Sequence, residues 1–174
     1  MKRRQLLAAA ASTLASGCGY ALQGRGITTD PSVKRIGVPL FKDRTGKLGL
    51  DTHVTQAVIA ELLKRGRFTV VKDAANVDAV IEGDIVSFAV VPVNFSTEGG
   101  QTQASRYAIA MTASIVYRKI GQAEPIWSND AFSQRDEYDM GENAATFFDR
   151  EEQSIERLAT AFARSLVAAM LEAF

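Results

Sequence analysis

The sequence predicts an α+β fold: a two-layer sandwich with two amphipathic helices packed on one face of a four- to five-stranded mixed sheet. Three observations lead there. Residues 51–65 and 149–173 place apolar side chains at helical spacing. The stretch between them is rich in Val, Ile, Phe and Tyr and alternates with period two. Two apolar helix stripes flanking one set of strands have a common solution, which is to cover the same sheet face.

The elements follow in order. Val33–Phe41 (VKRIGVPLF) reads as a strand, with Pro39 marking an edge or an end. Lys42–Lys47 is a charged loop. In the first helix, Asp51–Arg65, Asp51 is the expected cap. Val54, Val58 and Leu62 make its stripe, widened by Ile59 and Leu63. Lys64 and Arg65 suit the negative carboxyl end, and Gly66 is the expected stop.

Arg67–Lys72 is a short strand, and Asp78–Asn94 a long one. The alternation of the long strand changes phase. Ile81, Gly83 and Ile85 share one face, whereas Val86, Phe88 and Val90 share the other. A bulge near Ser87, or a strand that leaves one core and enters another contact, reconciles the two. Phe95–Gln103 (FSTEGGQTQ) reads as a mobile polar connection. Ser105–Lys119 is the cleanest strand, with Tyr107, Ile109, Met111, Ala113, Ile115 and Tyr117 on one side. Ile120–Pro125 turns, and Ile126–Tyr138 is the last strand, with the only tryptophan, Trp127. After a loop over 139–146, Asp149 opens the final helix with Glu152 as capping-box partner. Its stripe is Ile155, Ala159, Phe162, Leu166, Ala169 and Ala173.

The amino terminus stands apart. Lys2, Arg3 and Arg4 form a positive patch, and Leu6–Leu14 an apolar run of signal-peptide length. That run is too short to span a bilayer, which takes about 20 apolar residues. Directly after it, in Leu14-Ala15-Ser16-Gly17-Cys18-Gly19, stands the only cysteine. A lone cysteine there is read as a lipid attachment point. Its thiol takes a diacylglyceryl group, cleavage falls after Gly17, and the new amino group is acylated. Small residues before the cysteine let a peptidase close around an extended backbone. Leu14 sits one place earlier than the usual lipobox leucine, with Ala15 in that slot. The alternative is an ordinary buried thiol. Arg3-Arg4 leaves open a twin-arginine route, although the general secretory route suits the short segment. Several acyl chains anchor stably where one does not. Gly19 after the cysteine, rather than Asp, points to the outer membrane under the Gram-negative sorting rule. The organisation is therefore signal peptide 1–17, lipidated tether 18–32 and one α/β domain 33–174.

The chain has 174 residues, and setting aside the first 17 leaves 157, enough to bury a real core. Removing Lys2, Arg3 and Arg4 from 20 basic residues leaves 17 against 20 acidic ones, a net −3. Nucleic-acid binding wants a basic surface and is not expected. His53 is the only histidine, so the usual zinc sites and a Ser-His-Asp triad lack their residues. Gly46-Lys47 has neither the spacing nor the Ser/Thr of a P-loop. No cofactor is expected, and the chain reads as a non-enzyme.

Four stretches, in this order, carry a family resemblance: Cys18-Gly19-Tyr20-Ala21-Leu22-Gln23-Gly24, Asp78-Ala79-Val80-Ile81-Glu82-Gly83-Asp84-Ile85, Tyr107-Ala108-Ile109-Ala110-Met111-Thr112, and a helix after Phe147-Phe148-Asp149. In them the chain resembles the lipopolysaccharide-assembly lipoprotein LptE over most of its mature length. The resemblance implies helices over a mixed sheet and a plug inside the outer-membrane β-barrel LptD, through which lipopolysaccharide reaches the surface. On that reading Thr97, Gln101, Thr102 and Gln103 suit a wet lumen wall as well as a plain solvent loop. Arg106, Lys42, Arg44 and Lys47 are candidate contacts for lipopolysaccharide phosphates. A second resemblance starts at Ile36-Gly37-Val38-Pro39-Leu40-Phe41. It points to CsgG-like and peptidoglycan-synthase-activator lipoproteins, which share a similar α/β core but have other partners.

Overall fold

The computed structural model of the protein describes residues 32–98, 101–140 and 144–172. The expected signal peptide, Cys18, and all of the tether except Ser32 lie outside the described residues. The elements run β1 (Arg35–Gly37), β2 (Lys42–Asp43), α1 (Leu50–Lys64), β3 (Thr69–Val71), β4 (Ala79–Glu98), β5 (Gln101–Lys119), β6 (Trp127–Asp139) and α2 (Ala144–Glu172). They form one six-stranded mixed sheet in the order β3-β1-β4-β5-β6, with β2 also on β4. β1 pairs in parallel with β3 and β4, and β2 with β4, while β4, β5 and β6 form an antiparallel meander. Parallel β1 and β3 need a crossover, and α1 supplies it.

The strand count exceeds the expected four to five because the 33–41 segment is not one strand. β1 ends at Gly37, the chain leaves the sheet through Pro39, and β2 begins at Lys42. Proline offers no N–H to a ladder, so the sheet is abandoned where it falls. The departing chain is held by α1 instead. Thr55 Oγ1 accepts a hydrogen bond from Phe41 N (3.0 Å) and donates to Asp51 O (2.7 Å).

Both helices lie on one sheet face, and the core sits between the layers. Val54, Val58 and Leu62 of α1 meet Leu158, Phe162 and Leu166 of α2 and Ile81, Ile85, Ile109, Met111 and Ile115 of the sheet. Alternation along β5 holds from Ile109 to Tyr117, while Ala108 on the other face is buried as well. Gly83 is required by close approach: an added Cβ would lie 2.3 Å from the buried Phe41 ring.

The bulge falls where the phase change places it. Ile85 pairs with Ala113 and Ser87 with Thr112, so Val86 is the extra residue. Phe88 thereby returns to the helix side and packs on the core.

Four expectations need correction. Gly49, not Asp51, occupies the amino cap of α1; Asp51 lies in the first turn, where its carboxylate accepts from Thr52 N. Leu63 does not widen the stripe, being 53 % exposed. α2 begins at Ala144, so Asp149 and Glu152 sit inside the helix rather than at a capping box. Phe95–Gln103 is not a loose connection: β4 runs on to Glu98 and β5 starts at Gln101. At the other end of α1, Gly66 takes φ +64° and donates to Leu63 O, as the expected stop residue.

Candidate functional site

The feature that the core does not explain is the outer half of the β4–β5 hairpin. Among the described residues, β4 beyond Ile85 pairs only with β5, because β2 ends at its Asp43–Ile85 partnership. Among the described residues, the far side of β4 from Ser87 to Glu98 is therefore an unpaired sheet edge. Its run Ser87–Thr97 (SFAVVPVNFST) contains no charged residue. Val90, Val91, Val93 and Phe95 are 36 %, 49 %, 39 % and 58 % exposed. A long uncharged edge is the kind that proteins normally blunt with Lys, Pro or bulges. Here the blunting is Pro92 and register shifts on either side of Asn94. The opposite edge, β6, carries Asp130, Arg135, Asp136, Glu137 and Asp139 in thirteen residues.

The expected interface residues crown this hairpin. Thr97 pairs with Thr102, their hydroxyls 3.2 Å apart, and Ser96 pairs with Gln103. Glu98 pairs with Gln101 along the backbone. Neutral hydroxyl and amide groups thus sit beyond the apolar stretch, on two paired strands rather than on a loop.

The four candidate cations do not converge. Arg44 Nε donates to Asp84 Oδ1 (2.9 Å) on the sheet face away from the helices, and its Nη2 pairs with Oδ2 of the same residue. Lys47 is on the helix side, its Nζ 2.7 Å from Glu151 Oε1 of α2 and 5.8 Å from the centroid of Phe88. Lys42 is exposed in β2, beside Asp84, and among the described residues it makes no ion pair. Arg106 bonds Asp139 at 2.8 Å and lies 4.0 Å from Glu137. It stands eight residues along β5 from Ser114, the partner of Asp84, hence roughly 27 Å away at the rise of a strand. Arg44 and Arg106 both have their guanidinium held in the charged form, first by the hydrogen bond to the neighbouring carboxylate and then by its charge.

At the base of the outer hairpin, Tyr107 stacks on Tyr138 with ring centroids 5.8 Å apart. Burial, with the Glu151 charge adding to it, pushes the Tyr138 phenol up to about 12. Among the described residues there is no cluster of three His, Cys, Asp or Glu side chains that could hold a metal ion. No described helix is long and apolar enough to cross a membrane.

A family model described as lipopolysaccharide-assembly, LptE, matches residues 33–170. The chain belongs to this family. LptE membership covers nearly all of the two-layer body and decides between the two resemblances seen in the sequence. Solved structures agree at the level of fold. A lipoprotein B from Nitrosomonas europaea is 14 % identical over 81 % of this chain and 86 % of its own, with a TM-score of 0.53. The rare lipoprotein B from Shewanella oneidensis is 14 % identical over 79 % and 95 %, with a TM-score of 0.50. A hypothetical protein from Chlamydia trachomatis is 12 % identical over 82 % and 100 %, with a TM-score of 0.53. No curated protein sequence matches the chain.

Sequence reasoning did not single out the apolar edge. Its signal was present, as eleven consecutive residues without a charge and a proline inside a strand pattern.

Proposed function

We propose that this LptE-family chain is an outer-membrane lipoprotein, anchored through Cys18, that assembles with the LptD β-barrel and plugs it. In that role it supports lipopolysaccharide transport to the cell surface and insertion there. The observation that carries this reading is the family match over residues 33–170. The role asks for binding and shape, not catalysis, and for no cofactor and no nucleic acid. A plug needs a rigid body, and the helix-covered half of the sheet provides it. It needs a tether, which the acylated Cys18 and residues 18–32 supply. It needs a surface that tolerates a wet wall, and Thr97, Gln101, Thr102 and Gln103 at the hairpin tip suit that. Of the candidate phosphate contacts Arg106, Lys42, Arg44 and Lys47, Lys42 alone is exposed without an ion pair among the described residues; the others would exchange a carboxylate for a phosphate.

The test is a mild-detergent pull-down from membranes with a tag after Phe174. Stoichiometric recovery of one large outer-membrane β-barrel supports the reading. Recovery of a murein synthase, or of a ring of this chain alone, overturns it. Cys18→Ala is expected to leave the domain folded and move it from the membrane to the soluble fraction.

A further inference from the structure

The end of the sheet where the described chain begins has a chemistry of its own. β1, β3 and β4 run parallel, so their first residues lie together, and antiparallel β5 finishes beside them at Lys119. α1 hands the chain to β3 and so ends here too, at Lys64. Ser32 is exposed at this end, with its hydroxyl 2.7 Å from Lys119 Nζ.

Lys34, Arg35 and Arg67 are exposed on the same end, and none of them makes an ion pair among the described residues. The carboxylates around them are occupied. Glu61 lies 3.5 Å from Lys64 and 3.4 Å from Arg65. Glu82 accepts from Arg118 at 2.8 Å. Asp78 takes the backbone N–H groups of Lys34 and Arg35, which leaves both side chains to solvent. Glu124 stands apart in the β5–β6 turn, on the far side of β4 from β1. Two large apolar side chains share this end. Leu63, in the last turn of α1, is 53 % exposed, and Ile120, just past β5, is 50 % exposed.

Exposed cations interspersed with exposed aliphatic groups suit the headgroup layer of an anionic bilayer. The cations meet phosphate there, and the aliphatic groups reach the acyl boundary. An acidic soluble partner would use the cations and leave Leu63 and Ile120 in water. Chain length favours the same occupant. From Cys18 to Ser32 is 14 residues, which span at most about 50 Å when fully extended. An acyl anchor at Cys18 therefore holds this end near the leaflet at high effective concentration, so a few weak contacts suffice. The hairpin tip, twenty residues along β4, lies roughly 65 Å away.

We infer that this end, with Lys34, Arg35 and Arg67 as cations and Leu63 and Ile120 as apolar contacts, docks on anionic phospholipid headgroups of the leaflet that holds the Cys18 acyl chains. The body then stands with the β4–β5 tip pointing away from that leaflet. This rests on the anchoring part of the proposed function, and it concerns the chain before a barrel engages it.

The acylated mature chain is reconstituted into vesicles of phosphatidylcholine with about 30 % phosphatidylglycerol. Gln122→Cys or Thr97→Cys carries a fluorophore, the Cys18 sulfur being blocked by its lipid. A nitroxide-headgroup lipid quenches the fluorophore only at contact range. Quenching is expected to be at least about fivefold stronger from residue 122, at the docking end, than from residue 97, at the tip. It should fall at least about threefold in phosphatidylcholine alone, in about 0.5 M salt, and with K34Q/R35Q/R67Q. That triple variant should move Tm by less than about 2 °C, since all three side chains are exposed. R135Q/R150Q removes two charges from β6 and α2 and should leave quenching within about 1.5-fold.

Equal quenching from both positions, quenching indifferent to phosphatidylglycerol, salt or the triple variant, or an equal fall with R135Q/R150Q would each overturn the inference. Loss of quenching to about 10 mM inorganic phosphate at fixed ionic strength would also overturn it, as the mark of a discrete phosphate site rather than a surface. Sedimentation separates the two readings. If the chain stays with the vesicles in high salt while quenching fails these tests, the Cys18 anchor stands and only the docking is wrong. If the chain leaves the vesicles in high salt, both fall together.

Discussion

The inner and outer halves of the β4–β5 hairpin are the same two strands under different covers. In the inner half, Ile81, Ile85, Ala113 and Ile115 lie under α1 and α2 and are fully buried. In the outer half, Val90, Val91, Val93 and Phe95 remain exposed although their residue types are just as apolar. The bulge at Val86 begins the outer half, and burial runs past it through Phe88, Met111 and Ile109 before it ends. The difference teaches that apolar content and strand propensity build the hairpin, while helix reach decides which part becomes core. The core half explains why the molecule folds. The outer half of β4 adds little to that core, since Val90, Val91, Val93 and Phe95 stay exposed.

The comparison breaks most readily in the core. Phe162 meets Phe132 edge to face, with centroids 5.2 Å apart, and has no exposed surface. Phe162→Ala should cost about 4 kcal/mol in urea unfolding. A loss under about 1 kcal/mol would mean that the helical layer is loosely packed.

Gly83→Ala comes next, at about 2 kcal/mol, because the new Cβ must displace the Phe41 ring. Equal stability of the variant and the wild type would show that Phe41 moves freely.

Asp78 ties the chain start to the sheet. Its Oδ2 accepts from Lys34 N and Arg35 N at 2.8 Å each, and these two bonds, ahead of nearby Arg35 and Lys119 charge, hold its carboxyl below the usual value. A depressed folded pKa contributes stability above the unfolded value near 3.9 and loses it as pH falls through the lower folded value. Acid unfolding of Asp78→Asn should therefore show a shallower pH dependence below about pH 4 than the wild type. Superimposable acid titrations would remove Asp78 from this role.

The smallest effect sharpens the contrast. Val91→Ala should change stability by less than about 0.5 kcal/mol. A cost like that of a buried valine would mean that the outer half is covered within the monomer itself.

Much of this was legible from residue order. Tyr107–Tyr117 alternates so strictly that its strand, and which side faces the helices, follow from spacing alone. The Val86 bulge was visible because β4 carries two apolar phases, and one chain cannot present both to the same core without an extra residue. Gly66 announced the end of α1. Local chemistry misled where a sequence signal had two uses. Asp149 and Glu152 have capping-box spacing but sit within a helix that had already begun at Ala144. Ser96–Gln103 is polar enough for a loop, yet each residue that pairs there is held in register by the strand opposite.

By itself the sequence determined the α+β class, the helix stripes and the family, because each depends on residues close in the chain or on their order. The tertiary structure alone decided three other things. It split the first strand, it set Arg44 and Lys47 on opposite faces with Arg106 far from both, and it left the Ser87–Thr97 edge unpaired among the described residues. Those depend on how far two helices reach along a sheet and which strands stop short, and neither length is written in any local pattern.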